Sequence, residues 1–449
     1  MFTRTLARAS ARVLTRAPVL ARAASTAGSK GDVVLLYSCA RARRGAARAS
    51  NAGLYPTPPP PPFSGGLDTS TVLVWLREQG YNVHAYCANL GQEEDFAAMK
   101  AKALTCGAKS VHIEDLREDF LKNFIFPAIQ ANGIYENLYL MGTSLARPCI
   151  ARRAVEVAHK MGCKFVAHGA TGKGNDQVRF ELAFAALDPS LRAIVPWRDP
   201  AFFSRFNGRA DLMAYARSQG VPVVQTAAKP YSMDENMMHI SYEAGILEDP
   251  ATPAPADMFR MTVDPRRAPD TPATITLHFD RGLPVRVVNK ADGTDISGDA
   301  LALFNYLNVL GGAHGVGRSD VVENRFVGIK SRGVYENPGA ELLRQGHMGI
   351  EGLTLDKEVF RLRDMISAKF ADYVYNGAAG ARRGAARRRG ARGAARRGAA
   401  RHTMMRGRAQ QLTSPLFPSP RLPLLLPQAF GFRPRWSLRS RPSPSRRSA

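Results

Sequence analysis

A short stretch of small and hydroxyl-bearing residues, Ser64-Gly65-Gly66-Leu67-Asp68-Thr69-Ser70, constrains the fold of this chain more than any other part of its sequence. Two successive glycines let the backbone turn its N–H groups towards an anion. The last three residues suit the first turn of a helix, and the apolar run over residues 71–79 predicts that the helix continues. Because the N-terminus of a helix favours negative charge, the stretch predicts a phosphate-binding loop, although a glycine turn with a capping aspartate stays an alternative. The loop lacks the lysine of the common P-loop pattern, which argues against a kinase or GTPase.

Short apolar runs of strand length alternate with helical segments from Asp32 onwards. The predicted strands cover residues 33–37, 83–86, 110–113 and 164–168, and the predicted helices cover residues 71–79, 93–105, 116–129, 148–161 and 177–186. Such alternation is typical of an α/β domain with a parallel sheet, in which ligands bind at the carboxyl ends of the strands. We expect this nucleotide-binding domain to span residues 31–228.

The last of these strands runs directly into a second glycine-rich loop, Gly169-Ala170-Thr171-Gly172-Lys173-Gly174-Asn175-Asp176. Its glycines bring backbone donors close to a ligand, and its Thr, Lys, Asn and Asp side chains suit a polyanion or a zwitterion. Two such loops in one sheet favour a nucleotide site more than either loop alone, with a surface loop as the alternative.

The pattern changes after residue 228 to mixed strands and helices. Residues 274–279 and 285–289 predict a hairpin around Arg281-Gly282, residues 301–310 predict a helix, and residues 326–330 predict a further strand. We therefore expect a second, α+β domain over residues 229–377.

The net charge of +24 is concentrated in three segments that contain no acidic residue. Residues 1–31 carry six Lys or Arg, residues 39–63 carry four Arg, and residues 378–449 carry eighteen Arg. Without these 28 charges the remainder has a net charge of about −4. The charge of the whole chain therefore does not identify the ligand of its globular part.

The ends of the chain and its cysteines bear on its compartment. Residues 1–30 contain arginines about four residues apart, a composition typical of a mitochondrial or plastid targeting sequence, with an unstructured start as the alternative. Five cysteines without a close pair predict reduced thiols in an intracellular protein; they are Cys39, Cys87, Cys106, Cys149 and Cys163. No stretch approaches the roughly 18 apolar residues of a membrane span, so no membrane partner is expected.

Several motifs in the same order resemble the argininosuccinate synthase family. They are the two glycine loops, Ala85-Tyr86-Cys87-Ala88-Asn89, Gly142-Thr143-Ser144-Leu145-Ala146-Arg147-Pro148, Ser232-Met233-Asp234-Glu235-Asn236 and Val322-Glu323-Asn324-Arg325-Phe326. The resemblance runs from about residue 30 to residue 377. It implies an ATP-pyrophosphatase type of nucleotide-binding domain followed by a synthetase domain, and a cytoplasmic homotetramer. The implied activity is that of a ligase of arginine biosynthesis and the urea cycle, which joins citrulline to aspartate and converts ATP to AMP and pyrophosphate through citrullyl-adenylate.

The resemblance also implies the site residues. ATP contacts fall on Tyr37, Ser64, Gly65, Gly66, Leu67, Asp68, Thr69, Ser70, Ala88, Ala167, His168, Gly169, Ala170, Thr171, Gly172, Lys173, Gly174 and Asn175. Citrulline contacts fall on Tyr139, Ser144, Asn175, Arg179, Ser232, Ser241, Glu323 and Tyr335, and aspartate contacts fall on Thr171, Asn175 and Asp176. Catalytic roles go to Asp176 and Arg179. Mg²⁺ would share the phosphate charge, and no protein residue is assigned to it.

Three of these residues have purely structural alternatives. Arg179 fits a solvated helix arginine, Tyr335 fits the edge of a core, and Ser232 fits a cap for the segment at Asp234.

Two segments depart from the family pattern. Residues 39–64 interrupt the family's continuous run from the strand ending Tyr37-Ser38 into the glycine loop, and Arg/Gly/Ala repeats replace its C-terminal segment after Gly377. We expect the insertion to be extruded from the fold and to lower the activity, and residues 378–449 to be unstructured. An inactive mis-spliced or truncated product stays an alternative, as does an RNA-binding protein that acts through the Arg-rich tail. No specific nucleic-acid partner is expected for the globular part.

Overall fold

The computed structural model describes residues 29–37, 66–171, 174–221 and 231–378. The targeting-like residues 1–28, the insertion 39–64 and the tail after residue 378 lie outside these ranges, so the expectations about them stay predictions.

A five-stranded parallel sheet forms the first domain, as the sequence predicted. Its strands are β1 (Gly31–Leu36), β2 (Tyr81–Asn89), β3 (Ser110–Asp115), β4 (Phe165–His168) and β5 (Arg192–Ile194), in the order β3-β2-β1-β4-β5. The chain moves outwards from β1 to β3 and then returns to the other side of β1 as β4. This reversal is a topological switch point, and it opens a crevice at the carboxyl ends of β1 and β4. Tyr37 and His168 lie at those two ends.

Helices cover both faces of this sheet. They are α1 (Leu67–Glu78), α2 (Phe96–Thr105), α3 (Arg117–Phe120) continued by a π-helical turn (Leu121–Ile125) and α4 (Phe126–Gln130), α5 (Gly142–Lys160), α6 (Asn175–Leu187), α7 (Pro200–Arg205) after a 3₁₀ turn (Pro196–Arg198), and α8 (Arg209–Ser218). Alternate residues of β1 enter separate cores, because side chains along a strand point to opposite faces. Val33 and Leu35 join the core with α1, whereas Val34 and Leu36 join the core with α5.

The prediction that a helix starts at Pro148 was wrong, because α5 begins at Gly142. Proline suits the first turn of a helix, which favoured the later start. Tertiary packing overrides that preference here, since the residues of the first turn are buried and Gly142 lies against the ring of His239. A Cβ atom at residue 142 would lie 2.5 Å from that ring.

The second domain contains two antiparallel sheets. One has the order β11-β12-β7-β6, from β6 (Ser232–Glu235), β7 (Ile240–Glu243), β11 (Arg318–Asn324) and β12 (Lys330–Glu336), and the other has the order β10-β9-β8, from β8 (Ile275–Asp280), β9 (Leu283–Asn289) and β10 (Thr294–Ser297). Helices α9 (Ala300–Ala313), α10 (Pro338–Thr354) and α11 (Lys357–Tyr375) and two 3₁₀ turns (Gly245–Glu248, Pro265–Arg267) complete it. The hairpin predicted around Arg281-Gly282 is present, and both residues have the positive φ of a tight hairpin turn.

The strand predicted over residues 326–330 was wrong. Residues 326–329 lie in the turn between β11 and β12, where Arg325 N donates to Ile329 O at 2.9 Å, and only Lys330 belongs to a strand. Phe326, Val327 and Ile329 are exposed at this tip, so their apolar character does not reflect burial in a sheet. A short run of apolar residues usually predicts a buried strand, but here such a run forms an exposed turn.

The described part of the chain also bears on membrane spans and disulfides. No helix in it is long and apolar enough to cross a membrane. None of its four cysteines, Cys87, Cys106, Cys149 and Cys163, forms a disulfide.

Candidate active site

Two cavities meet at the carboxyl edge of the parallel sheet. The first has a volume of about 340 Å³ and lies over the ends of β1, β2 and β4. The second, of about 770 Å³, lies between the second glycine loop and the β11–β12 hairpin, and therefore between the two domains. Gly169, Ala170 and Asp176 line both cavities, so the two cavities adjoin at these residues.

Nine of the fourteen predicted ATP contacts that the structure describes line these cavities. Tyr37, Thr69, Ala88, His168, Gly169 and Ala170 line the first, and Thr171, Gly174 and Asn175 line the second. Leu67, Asp68 and Ser70 belong to the first turn of α1, Gly66 caps that helix at φ +82°, and Ala167 is buried in β4. Ser64, Gly65, Gly172 and Lys173 lie outside the described residues.

A hydrogen bond joins the two sides of the interrupted loop. The hydroxyl of Tyr37, after β1, lies 2.8 Å from Ser70 Oγ, in the first turn of α1. Both side chains are buried. The strand end and the helix N-terminus are therefore next to each other, although residues 38–65 separate them along the chain.

His168 lines the first cavity with a buried, neutral ring. Burial lowers its pKa to about 4, so the ring is neutral at physiological pH. Ala170 N donates to its Nδ1 at 3.3 Å, which places the ring proton on Nε2. Nε2 is buried and has no hydrogen-bond partner among the described residues, so it is available to donate to a ligand.

The predicted citrulline contacts are divided between the two domains. Tyr139, Asn175, Arg179, Ser232, Glu323 and Tyr335 line the second cavity, while Ser144 and Ser241 are buried behind it. Ser144 Oγ has no partner among the described residues. The rings of Tyr139 and Tyr335 stack at 4.1 Å, and the Tyr335 hydroxyl donates to Glu323.

The positions of Arg179, Tyr335 and Ser232 bear on their structural alternatives. Arg179 is only 4% exposed, which excludes a solvated helix arginine. Tyr335 belongs to the hydrophobic core and also lines the second cavity, so it lies where that core borders the cavity and fits both readings. Ser232 is the first residue of β6 and lines the second cavity, so it is not a cap.

The sequence did not single out Arg147, which pairs with two carboxylates of the site. Its Nη2 lies 2.7 Å from Asp176 Oδ2 and 2.8 Å from Asp234 Oδ2, and Arg179 Nη1 lies 2.8 Å from Asp176 Oδ1. Burial acts to raise the pKa of Asp176, but the two arginines outweigh it and hold that pKa well below its usual range. Asp176 is therefore a firmly ionised carboxylate. Arg147 and Asp234 both lie within motifs that resemble the argininosuccinate synthase family, and this is the only sequence signal for them.

Thr143 and His239 were also missed. The Thr143 hydroxyl donates to Asp234 Oδ2 at 3.2 Å and lies 2.9 Å from His239 Nε2. Because the single hydroxyl proton goes to Asp234, Nε2–H of the histidine must donate to Thr143 Oγ1. Burial lowers the pKa of His239 to about 4, which agrees with this neutral ring.

The fold and the two cavities together define a two-domain nucleotide-binding enzyme. Family models match most of the chain: "Arginosuccinate synthase N-terminal HUP domain" over residues 62–222 and "Arginosuccinate synthase C-terminal domain" over residues 231–382. The chain belongs to the argininosuccinate synthase family.

Curated relatives support this assignment. The chain is 56% identical over 315 residues to argininosuccinate synthase of Thermotoga maritima, covering 70% of this chain and 77% of the relative. It is 56% identical to the Bos taurus enzyme and 55% identical to the Homo sapiens enzyme, each over 315 residues, or 70% of this chain and 76% of the relative.

Proposed function

We propose that this protein joins citrulline to aspartate with the conversion of ATP to AMP and pyrophosphate, giving argininosuccinate through citrullyl-adenylate. The observation that carries the proposal is the junction of the two cavities at Gly169, Ala170 and Asp176. Adenylation requires the α-phosphate of a nucleotide to meet an atom of a second substrate, and the junction provides a place for that contact.

In the first step, the ureido oxygen of citrulline forms a bond to the α-phosphorus of ATP, and the bond from that phosphorus to the bridging oxygen of the β-phosphate breaks. Pyrophosphate leaves with the bonding electrons. No protein nucleophile is required, so the chain contributes orientation and stabilisation of phosphate charge. The N-terminus of α1 and the first glycine loop suit pyrophosphate, and His168 Nε2–H suits a further oxygen of the nucleotide.

Citrulline is a zwitterion and needs one partner of each charge. Arg179 supports carboxylate recognition, because Asp176 and a backbone carbonyl occupy only two of its five N–H groups. Glu323 supports recognition of the ammonium group, since it lies on the opposite domain and lines the same cavity. The buried Tyr139 and Tyr335 rings form an apolar wall for the aliphatic part.

In the second step, the amine of aspartate forms a bond to the ureido carbon, the bond from that carbon to the AMP oxygen breaks, and the amine loses a proton. Asp176 suits orientation of the amine rather than removal of its proton. Its pKa is held low by two arginines, and a carboxylate of low pKa is a poor base. Thr171 and Asn175 line the same cavity and complete the proposed aspartate contacts.

Mg²⁺ would neutralise part of the phosphate charge when bound with ATP. Asp68 is exposed in the first turn of α1, next to Thr69 of the first cavity, and its carboxylate has the oxygen chemistry that Mg²⁺ prefers. Mg²⁺ usually keeps several waters and binds through substrate phosphates with one or two carboxylates. We therefore propose that it arrives with the nucleotide.

We also propose assembly with further copies of the chain, as a homotetramer. Support comes from an exposed apolar row on α10 and α11, formed by Leu353, Val359, Leu362, Met365 and Ile366. Analytical ultracentrifugation of the full chain would give the mass of a tetramer, and a monomer would contradict this part of the proposal.

The order of the two steps gives the test of function. Mixing the protein with MgATP and citrulline, without aspartate, should release pyrophosphate in an amount that approaches one per active site, and AMP should appear only after aspartate is added. Release of pyrophosphate that does not depend on citrulline would contradict the proposal.

A further inference from the structure

The C-terminal end of α11 packs directly on the substrate-facing start of α6. Tyr375, the last residue of α11, is 1% exposed and contacts two of the proposed substrate residues. Asn175 Nδ2 donates to the Tyr375 hydroxyl at 2.8 Å, and Arg179 Nε donates to the Tyr375 carbonyl at 2.7 Å. The family resemblance assigns no role to Tyr375.

The contact with Asn175 fixes the orientation of its amide and leaves part of it available. A second bond, from Phe326 N to Asn175 Oδ1 at 3.1 Å, is made by the β11–β12 turn. A side-chain amide offers two N–H donors and two acceptor lone pairs. The two protein bonds use one donor and one lone pair, so one of each remains for a ligand in the second cavity.

Tyr375 also fixes the orientation of Arg179 and leaves part of its guanidinium available. Its guanidinium carbon lies 4.9 Å from the centroid of the Tyr375 ring, in a cation–π arrangement. Together with the Nε bond to the carbonyl and the Nη1 bond to Asp176, this fixes the plane of the group. Three N–H groups remain for a ligand.

Tyr375 is itself held firmly. Its ring stacks on Tyr135 at 3.7 Å between centroids, with an angle of 6° between the planes. Tyr135 is anchored in turn, because its hydroxyl donates to Asn324 O at 2.7 Å. Two residues beyond Tyr375, Gly377 has φ +77°, and a Cβ atom there would lie 2.8 Å from Arg179 Cα. Only glycine allows the chain to pass so close to α6.

We propose that Tyr375 is a positioning residue for amino-acid substrates, which holds Asn175 and Arg179 in the orientation that binds citrulline. This inference rests on the function proposed above. It makes the end of α11, in the second domain, a part of the substrate site on the first domain.

The test is the substitution Tyr375→Phe in the full chain, with the citrulline dissociation constant measured by titration calorimetry. The variant keeps the ring, the stacking on Tyr135 and the carbonyl bond to Arg179, and loses the hydroxyl, which accepts from Asn175 and interacts with the Glu323 carboxylate. A hydrogen bond of ordinary strength predicts a dissociation constant raised about 3- to 10-fold.

A matched control comes from a second Tyr–Asn pair. Asn289 Nδ2 donates to the Tyr306 hydroxyl, also at 2.8 Å, on β9 and α9. Neither residue lines either cavity. Tyr306→Phe should leave the citrulline dissociation constant within about twofold, although it removes the same type of bond.

A double-mutant cycle separates positioning from a general loss of stability. In the background of Asn175→Ala, Tyr375→Phe has no amide left to orient and loses only the interaction with Glu323, so it should raise the dissociation constant by a clearly smaller factor than in the unsubstituted protein. If the unsubstituted protein binds citrulline and Tyr375→Phe binds it equally well, the role of Tyr375 is refuted while the proposed function stands. If the unsubstituted protein binds no citrulline, the proposed function fails, and this inference fails with it.

Discussion

Replacing Arg147 by methionine should cost more stability than the loss of any exposed ion pair in this protein. The substitution removes one guanidinium from two carboxylates, Asp176 and Asp234, at 2.7 and 2.8 Å. Breaking a fully buried pair costs about 3–5 kcal/mol, and breaking an exposed pair costs about 0–1 kcal/mol. The Arg147 side chain is 15% exposed, but those of Asp176 and Asp234 are 31% and 36% exposed. We therefore expect the free energy of unfolding to fall by about 2–3 kcal/mol, below the fully buried range.

Urea denaturation of the full chain, with Arg286→Met as the control, measures this cost. Arg286 and Asp295 form a two-bond pair of the same chemistry on β9 and β10, with side chains 42% and 48% exposed. Its loss should cost less than about 1 kcal/mol. Adding Asp234→Asn to Arg147→Met should restore part of the stability, because it removes an uncompensated charge. If Arg147→Met and Arg286→Met cost the same within error, our reasoning about the Arg147 network is wrong.

Three further predictions concern ligands and pH. Arg179→Met should weaken citrulline binding by about 2–5 kcal/mol and leave ATP binding nearly intact, since Arg179 does not line the first cavity; unchanged citrulline calorimetry would contradict the assignment. Burial lowers the pKa of His168 to about 4 in the folded protein, below the ordinary value of about 6.5, so the free energy of unfolding should fall as the pH is lowered from about 6.5 to about 4. Urea titrations of His168→Gln should show a shallower fall of that free energy with pH, and the same fall in both proteins would contradict this. Deleting residues 39–64 should strengthen ATP binding and raise activity, because the Tyr37–Ser70 contact already brings the two sides of the loop together. Equal rates of pyrophosphate release before and after the deletion would show that the insertion does not lower the activity.

The parts of this structure that the sequence predicted are those set by local rules. Apolar runs and glycine loops determined the parallel sheet and the position of its ligand crevice, because strand length, turn chemistry and helix N-termini depend on neighbouring residues. The start of α5 was missed because a long-range contact, between Gly142 and His239, overrides the local preference of Pro148.

In the candidate site, too, local motifs could be predicted from the sequence and long-range contacts could not. The motif residues could be placed from the resemblance, but their partners could not. Arg147 bridges residues 29 and 87 positions away, and Tyr375 contacts Asn175 across 200 positions. No short-range pattern carries such pairings. The structure is needed to show that Asp176 is held between two arginines and that the end of α11 closes behind Asn175.

The most direct test of the proposed activity follows the ureido oxygen of citrulline. Citrulline labelled with oxygen-18 in its ureido group should be incubated with the full chain, MgATP and aspartate, and the AMP analysed by mass spectrometry. If the ureido oxygen attacks the α-phosphorus, every AMP formed in the coupled reaction carries the label, and argininosuccinate carries none at the ureido-derived carbon. Unlabelled AMP, with or without argininosuccinate, would contradict the citrullyl-adenylate mechanism proposed for this site.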